Sequence, residues 1–414
     1  MPNNNHPKRD GRLKGTAMKK TISLALVLPV AVLLSSCTAE KIQYTDYVPG
    51  NNNFNGFPPI METEYGYYSN NGGLIYNDKE TGKCVYLCSK PECPHDGGDY
   101  CTATGGRWAE ESFALSGSYI YFNAVDIVFS GERNETLFKL FRASLNGSEL
   151  TEICTYYKFS GQSGALSLDS DDFDRGRQLV VHKNFAVVPY KSGSPEAPIY
   201  NTAIVNLETG AFEPLTVSDY ELSECRFGQC GYYPYGEWLY YTISPEKNTN
   251  TRMLYRYNFF TKQTEKLDIN LQFSSYSVTG ERVVCILPAA KGNSAEISCY
   301  DISSGEIERL LTLDEFTSPQ MIYDSSYLIL WENENGLILD SSGKQLAEFT
   351  LPRAFEQGSS FTAINSTCGK LYFRIEEEIF CCEISDIISG NANWYEPYSF
   401  DDFQPVPYNF DHLF

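Results

Sequence analysis

The chain has 414 residues, 32 of them Lys or Arg against 53 Asp or Glu, for a net charge of −21. That acidity repels phosphate backbones and anionic lipid headgroups, which argues against nucleic acid as a partner and leaves no electrostatic hold on a membrane. Tyr, Phe and Trp make up 14% of the residues, far too aromatic for a disordered tail, and the length is enough to build a large core.

The first predicted element is an export signal. Lys19 and Lys20 follow Met18, residues 22–34 are almost all apolar, and the run ends in Leu34-Ser35-Ser36-Cys37. A charged start, an apolar stretch of about 7–15 residues and small residues at the cut define a secretory signal. Pro29 interrupts the stretch, which is shorter than the roughly 18 residues a spanning helix needs. The Leu-Ser-Ser-Cys ending resembles the lipobox of bacterial lipoproteins. That resemblance implies that residues 1–36 are removed and that Cys37 becomes the first residue, carrying diacylglycerol on its sulfur. The predicted location is then the extracytoplasmic face of the cell membrane, held by lipid. Residues 1–17 are polar and basic ahead of a second methionine, so Met18 is read as the true start. The cleaved chain keeps 26 basic and 52 acidic residues, a net −26.

Residues 37–60 are rich in Asn, Gly and Pro and read as a flexible tether, within which 42–48 has strand character. Beyond it one pattern recurs over 61–414. A turn residue leads an aromatic or β-branched run at Gly117, Lys183, Gly236, Gly280, Ser325 and Gly369, the last four spaced by 44, 45 and 44 residues. Each run is followed by a second strand and a polar turn, as in Ile297-Ser298-Cys299-Tyr300-Asp301-Ile302-Ser303-Ser304-Gly305, and then by a third short run. Tyr76-Asn77-Asp78-Lys79-Glu80-Thr81-Gly82-Lys83, preceded by Gly66-Tyr67-Tyr68, makes a seventh unit. Short strands between turn signals argue for an all-β fold, and a period of 40–45 residues is that of a propeller. The expectation is a β-propeller of seven blades with four antiparallel strands each, most regular over 236–279, 280–324 and 325–368. Its last blade would be completed by the tether strand near Tyr44–Val48.

These turn-strand-strand units, and Leu87-Cys88-Ser89-Lys90-Pro91-Glu92-Cys93-Pro94-His95 after Glu80-Thr81-Gly82-Lys83, resemble TolB-type and related uncharacterised propeller lipoproteins of Gram-positive anaerobes. The resemblance implies fold and location more than activity, because propellers host unrelated chemistries.

Catalytic templates fail. Gly161-Gln162-Ser163-Gly164-Ala165 lacks the last glycine of a nucleophile elbow, and the three histidines left after export, His95, His182 and His412, make no metalloprotease motif. In Asp169-Ser170-Asp171-Asp172-Phe173-Asp174-Arg175-Gly176, Phe173 stands where a calcium loop needs an oxygen, so this reads as a solvated loop. Trp238, Trp331 and Trp394 read as sheet-packing aromatics, with a carbohydrate-binding mouth as the alternative. No catalytic residue is assigned. The expected function is a monomeric, non-enzymatic binding or interaction module for a protein or glycan ligand. The alternative is a glycan hydrolase or lyase with carboxylates in the propeller channel.

Of the thirteen cysteines, Cys285, Cys299 and Cys368 sit singly in apolar runs and read as small buried hydrophobes. Cys88, Cys93, His95 and Cys101 form the one local set with ligand chemistry. Three thiols and an imidazole suit structural zinc, whereas an exported protein can oxidise two of the thiols to a disulfide. Both readings stay open at this point. Cys84 is expected outside the set, because four extended residues separate it from Cys88 by about 13 Å.

Overall fold

The computed structural model describes residues 42–47 and most of 60–397, leaving out among its longer internal stretches 94–100, 163–178, 218–224 and 353–360. The export signal, Met18, Cys37 and the Asp169–Gly176 loop therefore lie outside the described residues. Residues 1–43 form one unit and residues 44–414 a second.

The second unit is an all-β propeller. Six antiparallel sheets have four strands each, with every strand bonded to its sequence neighbour: blade one over 61–86, two over 108–162, three over 180–214, four over 225–270, five over 276–313 and six over 320–350. Among the described residues a seventh sheet has three strands, Phe361–Thr367, Lys370–Ile375 and Glu378–Glu383. From blade four onward the first strand of each sheet lies beside the first strand of the next, as a ring of inner strands requires. Apolar clusters fill the spaces between sheets. Val180, Val187 and Ile204 of blade three, for example, pack with Tyr241, Ile243 and Tyr255 of blade four.

The predicted seven four-stranded blades are thus corrected to six, with a last sheet of three strands among the described residues. The reason is local. After Glu383 the chain enters a short helix, α1 (Ile384–Ile388), where the other sheets place a polar turn and a fourth strand. A single bridge between Cys381 and Tyr395, with N–H to carbonyl distances of 2.8 and 3.0 Å, stands where that strand would run.

Phase is a second correction. The turns that set the 44-residue spacing join the first and second strands of each sheet: Gly236 follows Cys225–Tyr235 and Gly280 follows Tyr276–Thr279. Each blade therefore begins one strand before its sequence repeat. Glycine leads these two turns because the backbone there is left-handed, with φ of 62° at Gly236 and 65° at Gly280. The turn between third and fourth strands is fixed differently. In blade five Asp301 Oδ1 accepts the N–H groups of Ser303 at 3.0 Å and Ser304 at 2.9 Å, while its carbonyl accepts the N–H of Gly305 at 2.9 Å. Asp78, Asn206, Asn258 and Asp340 hold the corresponding turns of blades one, three, four and six.

The described part of the predicted tether strand does not join the last sheet: residues 42–47 form no strand, and Thr45 and Tyr47 are bonded to blades two and three, while Val48 lies outside the described residues. Lys183 N–H donates to the Thr45 carbonyl at 2.7 Å, and the Thr45 and Ser116 hydroxyls are 3.0 Å apart. The first and last sheets instead meet through Glu62. It is buried and accepts hydrogen bonds from Lys79 Nζ at 2.6 Å, Lys370 Nζ at 2.8 Å and Tyr372 Oη.

Candidate metal centre and binding cleft

The fourth strand of blade one, Cys84–Tyr86, runs directly into the cysteine set. Leu74, which opens the strand Leu74–Asp78, brings two distant segments together. Its N–H donates to the Ala103 carbonyl at 2.7 Å, and its carbonyl accepts the Leu87 N–H at 2.9 Å. Cys101 and Cys88 are thereby carried to the same place. Blade two closes it from the other side: the Gly147 carbonyl accepts the Ser89 N–H at 3.3 Å and the Ser89 hydroxyl at 3.2 Å. A Cβ on Gly147 would stand 2.8 Å from the Leu87 carbonyl carbon and 2.9 Å from the Cys88 nitrogen, so no side chain fits there.

The sulfurs of Cys88, Cys93 and Cys101 all lie within 4.8 Å of one another. Cys88 and Cys101 are buried, each 1% exposed, and Cys93 is half-buried. Cys93 is set by a turn in which its N–H donates to the Lys90 carbonyl at 3.2 Å. The Cys88 sulfur takes a hydrogen bond from the Cys101 thiol and further ones from the Lys90 and Thr102 backbone N–H groups and from Cys93. Against the cost of burial, these pull its pKa down to about 4. Three of the four predicted ligands thus converge; His95 lies outside the described residues. Cys84 is buried in its strand and stays out of the group. Cys285 and Cys299 are buried singly in blade five, and burial raises both thiols, Cys285 to about 12. Cys368 lies outside the described residues.

Neither His182 nor Glu62 is available for chemistry. The Tyr47 backbone N–H donates to His182 Nδ1 at 2.9 Å, and Nε2 faces the Gly236 carbonyl at 2.8 Å. Burial lowers the ring's pKa, so the neutral Nε2–H tautomer donates to Gly236. Among the inner strands, Glu62 is the one carboxylate whose side chain is described, and its oxygens are held by Lys79, Lys370 and Tyr372.

A second feature was not legible in the sequence. An open cleft of about 890 Å³ lies between the outer strand Ile307–Leu313 of blade five, the strand Gln345–Thr350 of blade six and the segment after α1. Trp394 lines it, half-buried, its ring centroid 5.1 Å from Phe373 and 6.3 Å from Phe349. Glu332, Asn335, Gln345 and Glu348 line the polar side, with Gln345 Nε2 donating to Glu348 Oε1 at 2.7 Å. Among the described lining residues there is no Lys or Arg. Trp331 is buried in the sheet and Trp238 lies under the Arg256 guanidinium at 4.1 Å, so of the three tryptophans only Trp394 reaches the cleft.

No family model matches the chain, and no curated protein matches it. Solved structures similar to it include an oligogalacturonate lyase in complex with manganese, at 12% identity over 80% of this chain and 86% of that one, with a TM-score of 0.45. The β-propeller domain of the trilobed protease from Pyrococcus furiosus is 12% identical over 64% of this chain and 78% of that one, with a TM-score of 0.42. A chain assigned as TolB from Agrobacterium tumefaciens is 12% identical over 64% of this chain and 80% of that one, with a TM-score of 0.33. At such identities and TM-scores the likeness goes no further than a shared kind of architecture, and the activities in those names belong to those proteins.

Proposed function

We propose that the chain is a lipid-anchored extracytoplasmic binding protein whose propeller takes up a neutral glycan in the cleft at Trp394, without turning it over. The observation that carries this reading is the cleft's composition. An aromatic ring packs well on the C–H face of a sugar, and the amide and carboxylate groups of Asn335, Gln345, Glu332 and Glu348 meet its hydroxyls. A described lining without Lys or Arg, on a strongly acidic chain, disfavours anionic ligands. Binding is favoured over catalysis because the buried His182 and Glu62 are both engaged in holding segments together. For the anchor, the support is the signal ending at Cys37.

The test is a titration of the detergent-solubilised full chain against neutral oligosaccharides, beside Trp394→Ala. Saturable binding weakened at least tenfold by the substitution is expected. No binding, or binding indifferent to Trp394, overturns the glycan reading, and detectable cleavage overturns the non-enzymatic one. Metabolic labelling with a lipid analogue tests the anchor separately. Cys37→Ser offers no thiolate for alkylation and is expected to lose all label; retained label contradicts it.

A further inference from the structure

We propose that Cys88, Cys93 and Cys101 are thiolate ligands of a single zinc ion that pins the connection between blades one and two. The three sulfurs converge mutually, all within 4.8 Å, rather than as one pair with an outlier. Tetrahedral zinc with bonds of about 2.3 Å sets its sulfurs about 3.8 Å apart, so closing on the ion takes a contraction of about 1 Å at most. A disulfide needs two of them to approach to about 2.05 Å, and it leaves the third sulfur with no role.

Two further features point the same way. The backbone N–H groups of Lys90 and Thr102 donate to the Cys88 sulfur. Such donors suit a sulfur that carries negative charge, as a metal-bound thiolate does, and gain little from a disulfide sulfur. The scaffold is also preformed: Leu74 holds both segments that bear the buried cysteines, bonding to Leu87 on one side and Ala103 on the other, and the Gly147 backbone packs directly on Leu87 and Cys88. On binding, the protons that remain on the thiols pass to solvent, and the buried or half-buried negative sulfurs are then offset by the cation. Half-buried Cys93 marks the side from which the ion enters.

The test uses the full chain, purified without chelator under reducing conditions, with metal measured by elemental analysis. One zinc per chain is expected. Cys93→Ser replaces the most exposed ligand and leaves the core untouched, and it is expected to lower zinc affinity at least a hundredfold in chelator competition, with unchanged far-ultraviolet circular dichroism. Cys154→Ser, a half-buried cysteine outside the group, keeps the full zinc content. Cobalt in place of zinc is expected to give thiolate-to-cobalt charge-transfer absorption and the strong visible bands of a tetrahedral site, with the charge-transfer intensity falling by about a third in Cys93→Ser. Three results overturn the proposal: a reduced chain that takes up no zinc, zinc retained in full by Cys93→Ser, or a purified chain whose 84–107 peptide is two hydrogens light.

Discussion

The boundary between blades three and four and the seam between the first and last sheets do the same job with opposite chemistry. The first is a cluster of fourteen buried apolar side chains, from Val180 to Phe259, that meet by volume and area. Among the described residues the second has the small apolar cluster of Ile60, Tyr67, Tyr372, Ile379 and Cys381, and the buried carboxylate Glu62 is bonded across it to Lys370 and Tyr372. Apolar contact is non-directional and tolerates small losses gradually. A buried charge with three donors is stable only while all are in place, and breaking it leaves uncompensated charge. The ring is therefore expected to resist damage at its interior boundaries and to open at its seam.

The largest effect should follow from removing the carboxylate. Glu62→Ala takes from Lys79 and Lys370 the buried carboxylate they share, leaving Lys370 only the more exposed Glu383 carboxylate at 3.6 Å. A loss of about 3 kcal/mol is expected, read as a lower urea midpoint together with faster hydrogen exchange in the strands 61–70 and 370–383. A loss confined to a few tenths would mean the seam is held by its apolar cluster instead. The same carboxylate gives the seam a pH dependence. Burial raises the Glu62 pKa, but hydrogen bonds from Lys370, Lys79 and Tyr372 outweigh it and leave the folded value below the ordinary one. Its contribution is therefore complete above the unfolded carboxylate pKa and disappears as pH falls through the folded value. Glu62→Gln should flatten that part of the acid limb, and a difference between the two proteins that stays constant from pH 7 to pH 3 would contradict it.

Next in size is the interior boundary. Ile243 is fully buried in this cluster, on the strand Trp238–Pro245, where its register partner on the next strand is Met253 of the same cluster. Ile243→Val removes one methylene and leaves a small cavity, for which about 1 kcal/mol is expected, with no change in seam exchange rates. An effect as large as that of Glu62→Ala would erase the distinction between the two regions.

The two regions also differ in how far the sequence discloses them. Blade-forming segments are legible because turn chemistry is local. Gly236 and Gly280 stand at left-handed positions, and Asp301 and its counterparts bind N–H groups two and three residues on. Phase was not legible, because first strands such as Tyr276–Thr279 are four residues long and no glycine announces them. Among the described residues the last sheet has three strands because α1 follows Glu383 where the other sheets turn into a fourth. Cys88, Cys93 and Cys101 were visible as a spacing, and the structure adds the Leu74 backbone that joins 87 to 103. Glu62 and Lys370 are 308 residues apart, and nothing near either marks it as a partner. Trp394 was visible only as one tryptophan among several, since the cleft exists through the path of the chain after α1.

The smallest expected effect lies at neither boundary but in the turns that carry the repeat. In blade four the left-handed position after Asn258 is occupied by Lys262, with φ of 60°, where blade three has Gly210 and blade five Gly305. A side chain in that conformation costs about 1 kcal/mol. Replacing it by glycine returns part of that gain through the larger freedom of the unfolded chain. It also removes the exposed ion pair of Lys262 with Glu213, worth at most a few tenths of a kcal/mol at a surface. Lys262→Gly is therefore expected to stabilise the chain by about 0.5 kcal/mol or less. In a Glu213→Gln background, where no ion pair remains to lose, the same substitution should stabilise by a few tenths more. Thermal midpoints of the four proteins measure both numbers. Destabilisation by Lys262→Gly in both backgrounds would show that the lysine stem, rather than its backbone strain, governs this turn.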